Sequence, residues 1–266
     1  MKVGFQGEFG AYSHEAVDKY IENAEAVPFK SFTEVFQSLE DGKIDCVMIP
    51  VENSVEGSVT QVYDILQKSD VKAVKEVYLR IQHCLISDSD KIEEVYSHPQ
   101  ALAQCRGNIQ RLGLKEVQFY DTAGAVKMLK ETGKKAGAIA SKKAAEYYGL
   151  KVLKESMEDT SNNTTRFLVF VRKEDVDKWE EGNKTSIVFG LKHIPGALYG
   201  VLKELADRDI NMTKIESRPT RETKWEYVFY IDFEGNVNDE KVKEMFESMK
   251  DKTYFVKIIG CYPAGE

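Results

Sequence analysis

The sequence predicts an α/β protein built in two parts. Three observations lead there. Strand-like apolar runs alternate with amphipathic helical stretches in two successive series. A long run rich in β-formers, Val71 to Ser87, separates the two series, and the chain returns once after the second. The last third then has the compact order βαββαβ, a ferredoxin-like arrangement. Two βα series joined by an extended crossover imply two lobes with a cleft, the usual place for a small-molecule site.

The first series opens with the strand Lys2 to Phe5. Gln6-Gly7-Glu8-Phe9-Gly10-Ala11-Tyr12-Ser13 leads into a helix with Ala16, Val17, Tyr20 and Ile21 on one face. Strand, glycine turn and helix start form either an anion cradle or an ordinary tight turn. Gly4, Gly7 and Gly10 are spaced GxxGxxG, so the GxGxxG dinucleotide fingerprint is not met. A strand over Ala24 to Phe29 follows. Ser31-Phe32-Thr33-Glu34 is a capping box that starts a helix with Val35, Phe36 and Leu39 on its apolar stripe. The strand Ile44 to Val51 carries Glu52-Asn53-Ser54 just past its carboxyl end. Open α/β sheets bind ligands there. The Asn-Ser pair either hydrogen-bonds a carboxylate or caps the loop.

The second series has strands at Glu93 to Tyr96, Glu116 to Phe119 and Ala136 to Ala140. Its helices run from Pro99 to Leu112, Ala123 to Glu131 and Lys142 to Tyr148. Ser97, Thr122 and Ser141 place a hydroxyl at each strand-to-helix junction, where each alone reads as an N-cap. Gln104 falls off the apolar stripe of its helix. Lys151 to Ser156 is a further strand. After it comes Asp159-Thr160-Ser161-Asn162-Asn163-Thr164-Thr165-Arg166-Phe167. On composition this run is a solvated turn. Its position at the crossover between lobes gives it a second reading, as part of a site.

Glu174 to Asn183 is charged and reads as a linker. Beyond it, strands are expected at Thr185 to Leu191, Asn211 to Ser217, Trp225 to Phe233 and Tyr254 to Cys261. Helices are expected from Gly196 to Asp207 and from Asp239 to Lys250, both packed on one face of an antiparallel sheet. No triad or acid pair stands out, so this part reads as a binding or regulatory module.

Composition narrows the function. A net charge of -7 argues against a broad nucleic-acid surface. No apolar run approaches the ~20 residues of a membrane helix. Cys46, Cys84, Cys105 and Cys261 form no CxxC and read as buried thiols in a reducing compartment. The four histidines make no metal-ligand spacing. A cytoplasmic protein without metal or cofactor is expected.

Six blocks now resemble one family. They are Gly7-Glu8-Phe9-Gly10-Ala11-Tyr12-Ser13, Pro50-Val51-Glu52-Asn53-Ser54, Ser97-His98-Pro99-Gln100-Ala101-Leu102 and Asn163-Thr164-Thr165-Arg166-Phe167, then Pro195-Gly196-Ala197-Leu198 and Glu216-Ser217-Arg218-Pro219, with Trp225 after. In that order and spacing the chain resembles a monofunctional prephenate dehydratase with a C-terminal ACT regulatory domain. The resemblance implies a catalytic domain at 1–178, built as two lobes like the type II periplasmic-binding proteins. Lobe one would take about 1–78 and 157–178, lobe two about 79–156, and the ACT domain 183–266. It also implies the reaction: prephenate loses water and carbon dioxide to give phenylpyruvate, with L-phenylalanine as feedback inhibitor.

Aromatisation drives that reaction, so the enzyme has a dianion to bind and a hydroxyl to help depart. By resemblance, Thr165 donates a proton or a hydrogen bond to the leaving hydroxyl. Arg166 pairs with a substrate carboxylate or holds the loop, and Glu52 orients the site. Asn53, Ser54, Ser97, Gln104 and Thr122 are implied substrate contacts, with Phe167 beside them and better suited to packing. His98, a tempting acid, ranks below Thr165. Phenylalanine is implied to bind between two ACT domains through Gly196, Ala197, Leu198, Asn211, Met212, Ser217 and Arg218, which makes a homodimer or homotetramer the expected assembly. Acceptance of arogenate is left open. The rival readings are an amino-acid sensor without turnover and an ACT-linked dehydrogenase, the latter disfavoured by the glycine spacing.

Overall fold

The computed structural model describes residues 1–219 and 227–265. Trp225 lies outside the described residues. In chain order the elements are β1 (Lys2–Gln6), α1 (Tyr12–Tyr20), β2 (Glu25–Phe29), α2 (Phe32–Glu40), β3 (Cys46–Asn53), β4 (Gly57–Ser58), α3 (Thr60–Leu66), β5 (Val71–Arg80) and β6 (Cys84–Ile86). There follow β7 (Glu94–Ser97), α4 (Pro99–Gln104), α5 (Arg106–Arg111), β8 (Lys115–Gln118), α6 (Thr122–Thr132), β9 (Gly137–Ala140), α7 (Lys142–Tyr148), β10 (Val152–Lys154) and β11 (Thr164–Arg172). The last elements are β12 (Lys184–Leu191), α8 (Ala197–Ala206), β13 (Met212–Pro219), β14 (Tyr227–Glu234), α9 (Glu240–Met249) and β15 (Thr253–Tyr262). They fall into two compact units, one of Met1–Val59 with Tyr78–Phe167, the other of Thr60–Val77 with Leu168–Glu266.

The first unit holds two lobes. In one, β1 pairs in parallel with β2 and β3, and β4 folds back antiparallel on the end of β3. The Ser31 capping box starts α2 as expected: Ser31 Oγ accepts from Glu34 N at 3.2 Å. The other lobe is a five-stranded sheet in the order β10-β6-β9-β7-β8. The period of two sorts its side chains. Cys84, Ile86, Ala138 and Ala140 join the core under α6 and α7, while Leu85 and Ile139 join the core with Leu102, Cys105 and Ile109 of α4 and α5.

Pro99 to Leu112 is not one helix. It breaks at Cys105, whose φ of -110° and ψ of 5° leave the helical region. The cause is distant in sequence. Both carboxylate oxygens of Asp159 accept from the new helix start, Gly107 N at 2.8 Å and Asn108 N at 3.1 Å, and so cap α5 from outside. The expected linker is also partly ordered: Lys173–Lys178 forms a 3-10 turn held by Arg172 and Lys178 on Asp175.

In the second unit β13, β14, β12 and β15 form an antiparallel sheet in that order. Ile187, Phe189 and Leu191 face a core shared with Val201 and Leu205 of α8 and Val242, Met245 and Met249 of α9. The other face is covered by α3, and β5 pairs with β15. Tyr230 donates to Tyr63 O at 2.6 Å, and Lys257 Nζ donates to Leu66 O at 3.0 Å and Gln67 O at 3.4 Å, neutralising the carbonyl end of α3. Double covering explains why every residue of β12 is buried. Gly260 sits against Ala73 of β5, where an added Cβ would lie 2.1 Å from Ala73 O, so only glycine permits this pairing.

Candidate active site

Thr165 is the second residue of β11 and is 8% exposed. Its Oγ1 accepts a hydrogen bond from Asn53 Nδ2 at 2.9 Å. Asn53 ends β3, so two strand ends far apart in sequence meet here. The same amide nitrogen donates to Asn163 Oδ1 at 2.7 Å, while Asn53 Oδ1 accepts from Val55 N at 2.9 Å and Glu56 N at 3.1 Å. That fixes the Asn53 amide orientation, because its oxygen must face two backbone donors. Thr165 Oγ1 therefore accepts a hydrogen bond from Asn53 rather than donating one to it, and its own O–H can turn to another acceptor.

Asn163 continues the chain by donating to Gln104 Oε1 at 2.8 Å. Gln104, the last residue of α4, belongs to the other lobe. Its Nε2 donates to Glu56 Oε1 at 3.2 Å. Arg166, 5% exposed, pairs with Glu52 at 3.7 Å. Ser54 is committed to the loop: its Oγ accepts from Thr164 N at 2.9 Å and donates to Asn162 O at 2.9 Å.

Other candidates stand outside this chain of hydrogen bonds. Ser97 is fully buried and its Oγ donates to Ile139 O at 2.5 Å, tying β7 to β9; His98 is the N-cap of α4 in its place. Thr122 is the first residue of α6, which Asp121 caps through Gly124 N at 2.8 Å. Burial raises the Asp121 carboxyl above its usual range. Phe167 is 1% exposed and packs. Among the described residues no cluster of metal-ligating side chains occurs, and no helix is long and apolar enough to cross a membrane.

Tyr12, His83, Glu56 and Asn163 were not singled out from the sequence. Tyr12 and Asn163 sit inside the quoted blocks, Glu56 close after one, but a hydrogen-bonding role has no pattern of its own. His83 lies in an apolar β-rich run, where only its polarity marks it.

In the second unit a depression of about 120 Å³ is lined by Leu191, His193, Ile194, Ala197, Leu198 and Phe229, among others. Gly196 precedes α8 and supplies no side-chain cap to its first N–H groups. Asn211, Met212, Ser217 and Arg218 do not line the depression. Met212 packs against the core, and Arg218 pairs with Asp64 of α3 at 3.3 Å.

Fold and site define a class: a two-lobed α/β protein with a site of amides and hydroxyls, followed in sequence by a ferredoxin-like domain. The family model for prephenate dehydratase matches residues 3–175, and that for the ACT domain matches 185–248. The chain belongs to the prephenate dehydratase family and carries a C-terminal ACT domain. Prephenate dehydratase of Methanocaldococcus jannaschii is 43% identical over 96% of this chain and 95% of its own length. Arogenate dehydratase 2 of Petunia hybrida is 40% identical over 99% of this chain and 72% of its own length. Two solved structures superpose with a TM-score of 0.90. One is prephenate dehydratase from Arthrobacter aurescens in complex with L-Phe, 26% identical over 99% of this chain and 90% of that one. The other is GqqA, described as a novel type of quorum quenching acylases, 32% identical over 99% and 98%.

Proposed function

We propose that this chain is a prephenate dehydratase under feedback inhibition by L-phenylalanine, with its catalytic part at 1–178 and its regulatory part at 183–266. The observation that carries the catalytic reading is the Asn53-to-Thr165 hydrogen bond. In the reaction the bond from ring to carboxylate breaks and releases carbon dioxide. Its electron pair enters the ring as the carbon–oxygen bond on the opposite carbon breaks. The departing oxygen takes up one proton and leaves as water. Thr165, accepting from Asn53, is poised to donate to that oxygen as charge develops on it. Accepting one hydrogen bond strengthens the one it donates. One preorganised donor of this kind contributes typically ~10²–10³ in rate. Gln104 and Asn163 hold Asn53, and Arg166, nearly buried against Glu52, braces the strand ends. This polarity also weighs against acyl transfer of the kind named for GqqA. A threonine nucleophile needs a base to take its proton, and Asn53 presents a donor.

The regulatory reading rests on the depression in the ACT domain. The uncapped first turn of α8 suits a carboxylate and the apolar lining suits an aromatic ring. Ile194, 62% exposed, and Tyr199, 68% exposed, lie at this end of the domain, and a second copy covering them would give the homodimer or homotetramer in which the effector binds between domains. The half-buried or buried free thiols suit a cytoplasmic setting.

Purified protein incubated with prephenate should form phenylpyruvate, read by its alkaline absorbance, and phenylalanine should suppress it. Arogenate, assayed in parallel, decides the substrate preference. No product from either at saturating concentration sinks the enzyme reading in favour of an amino-acid sensor.

A further inference from the structure

Gln104 is held at both ends, and the hold extends past the residues of the motifs. Its Oε1 faces two nitrogens, Asn163 Nδ2 at 2.8 Å and His83 Nε2 at 2.9 Å. Its Nε2 faces the Glu56 carboxylate at 3.2 Å. A carboxylate only accepts, so the Gln104 NH₂ lies on that side and its carbonyl oxygen lies toward His83. His83 must then carry a proton on Nε2. In the neutral ring Nδ1 is the acceptor, and Tyr12 O–H at 2.7 Å is its donor. The single Tyr12 proton is shared with a more distant acceptor, Gln82 O, at 3.0 Å.

Both groups are neutral near pH 7. His83 is 2% exposed, and burial lowers its pKa below 6.5. Burial likewise raises the Tyr12 phenol well above its usual value. The charged and titratable groups around them are few. Glu158 Oε2 accepts from His83 N at 2.8 Å and opposes the burial effect. Glu56 lies beyond Gln104. The thiols of Cys84 and Cys105 and the carboxylate of Glu15 act on Tyr12, and burial pushes the Cys84 thiol up to about 11.

We infer that Tyr12 and His83 are positioning residues: Tyr12 selects the Nε2–H form of His83, which locks the Gln104 amide so that Asn163 and Asn53 hold Thr165 in its donor orientation. The alternative form of His83 would set two lone pairs against each other at the Gln104 contact. The Gln104 amide would then turn and break its bonds to Asn163 and Glu56 together. Neither Tyr12 nor His83 touches the hydroxyl of Thr165; they act through three amides, Gln104, Asn163 and Asn53. The catalytic part of this inference rests on the dehydratase reading, whereas the clamp itself does not.

The test is Tyr12→Phe, which removes one hydroxyl from a ring that keeps its shape. With 15N-labelled histidine, the wild-type protein should show His83 with its proton on Nε2, the signal being assigned by its loss in His83→Gln. Tyr12→Phe should lose that preference. With prephenate at pH 8, the variant should lose about 10-fold in kcat with KM changed less. Lowering the pH should narrow the gap to wild type, because protonating His83 restores the Nε2 proton whatever Tyr12 does. A merely structural defect would not narrow. His83→Gln, which keeps an N–H donor, should retain more activity than His83→Leu. An Nδ1–H signal in wild type, or wild-type kcat and KM for Tyr12→Phe at every pH, overturns the clamp. If wild type does not turn over prephenate, the dehydratase reading falls and the spectra alone decide: loss of Nε2–H in Tyr12→Phe supports the clamp, and its retention overturns it.

Discussion

Asn53 Nδ2 lies 2.9 Å from Thr165 Oγ1 and donates to it, with its own oxygen pinned by two backbone N–H groups. The threonine hydroxyl is thereby an acceptor on one side and a donor on the other. Four predictions draw on this and on other contacts.

Thr165→Ala should lower kcat by about 10²-fold or more with KM changed less, and Thr165→Ser should retain more activity. Asn53→Ala should fall in the same range, and the double variant should be little worse than either single. Steady-state rates of phenylpyruvate formation check this. Simple additivity would separate the two residues.

The ACT depression gives the second. Ala197→Leu fills part of its volume with side chain and should weaken inhibition by phenylalanine at least 10-fold. Dose–response curves for phenylalanine at fixed prephenate read it. Unchanged inhibition would move the effector site elsewhere.

His14 is 6% exposed and accepts Gly10 N–H on Nδ1 at 2.9 Å. Burial lowers its pKa from 6.5, with Asp18 opposing and Lys143 adding to the effect. The folded pKa lies below the unfolded one, so the unfolded chain takes up the proton first. The stability is present above about pH 6.5 and is lost as pH falls toward the folded pKa. His83 has the same sign. Calorimetry should show Tm falling between pH 7 and pH 5, and His14→Gln should have a lower Tm at neutral pH but a shallower slope.

Lys184 and Glu76 form an ion pair at 2.7 Å with both residues buried, 8% and 3% exposed. Lys184→Met removes the ammonium and leaves the buried Glu76 carboxylate with the Gly265 N–H at 2.8 Å, at a cost of about 3 kcal/mol of stability. Urea unfolding measures the change. A loss under 1 kcal/mol would show that Glu76 finds other compensation.

Much of this was legible in the sequence because it is local or periodic. The Ser31 box starts α2, and the period-two pattern of Ile187, Phe189 and Leu191 finds the core under two helices. What was not legible depends on partners remote in sequence. Asp159 splits the Pro99 helix from some 50 residues away. His83 meets Tyr12 across 71 residues, and neither makes a spacing that periodicity can register. Arg218 belongs to a block associated with the effector, yet its guanidinium pairs with Asp64, on a helix that lies between the two βα series. Asp64 sits on the polar side of a short helix and offers no signal of that partner.

The two lobes of the first unit touch in chemically different ways. At Gly10 the contact is backbone against backbone: φ is +87°, an added Cβ would lie 2.6 Å from Ala144 Cα, and Ser141 Oγ donates to Gly10 O at 2.6 Å. At Gln104 the contact is a long side chain reaching Asn163 and Glu56. Main chain in contact has no length to give, whereas a glutamine swings away by changing rotamer. The cleft thus has a fixed jamb at Gly10 and a latch at Gln104. The residue that helps set the donor orientation of Thr165 is thus also the movable contact between the lobes.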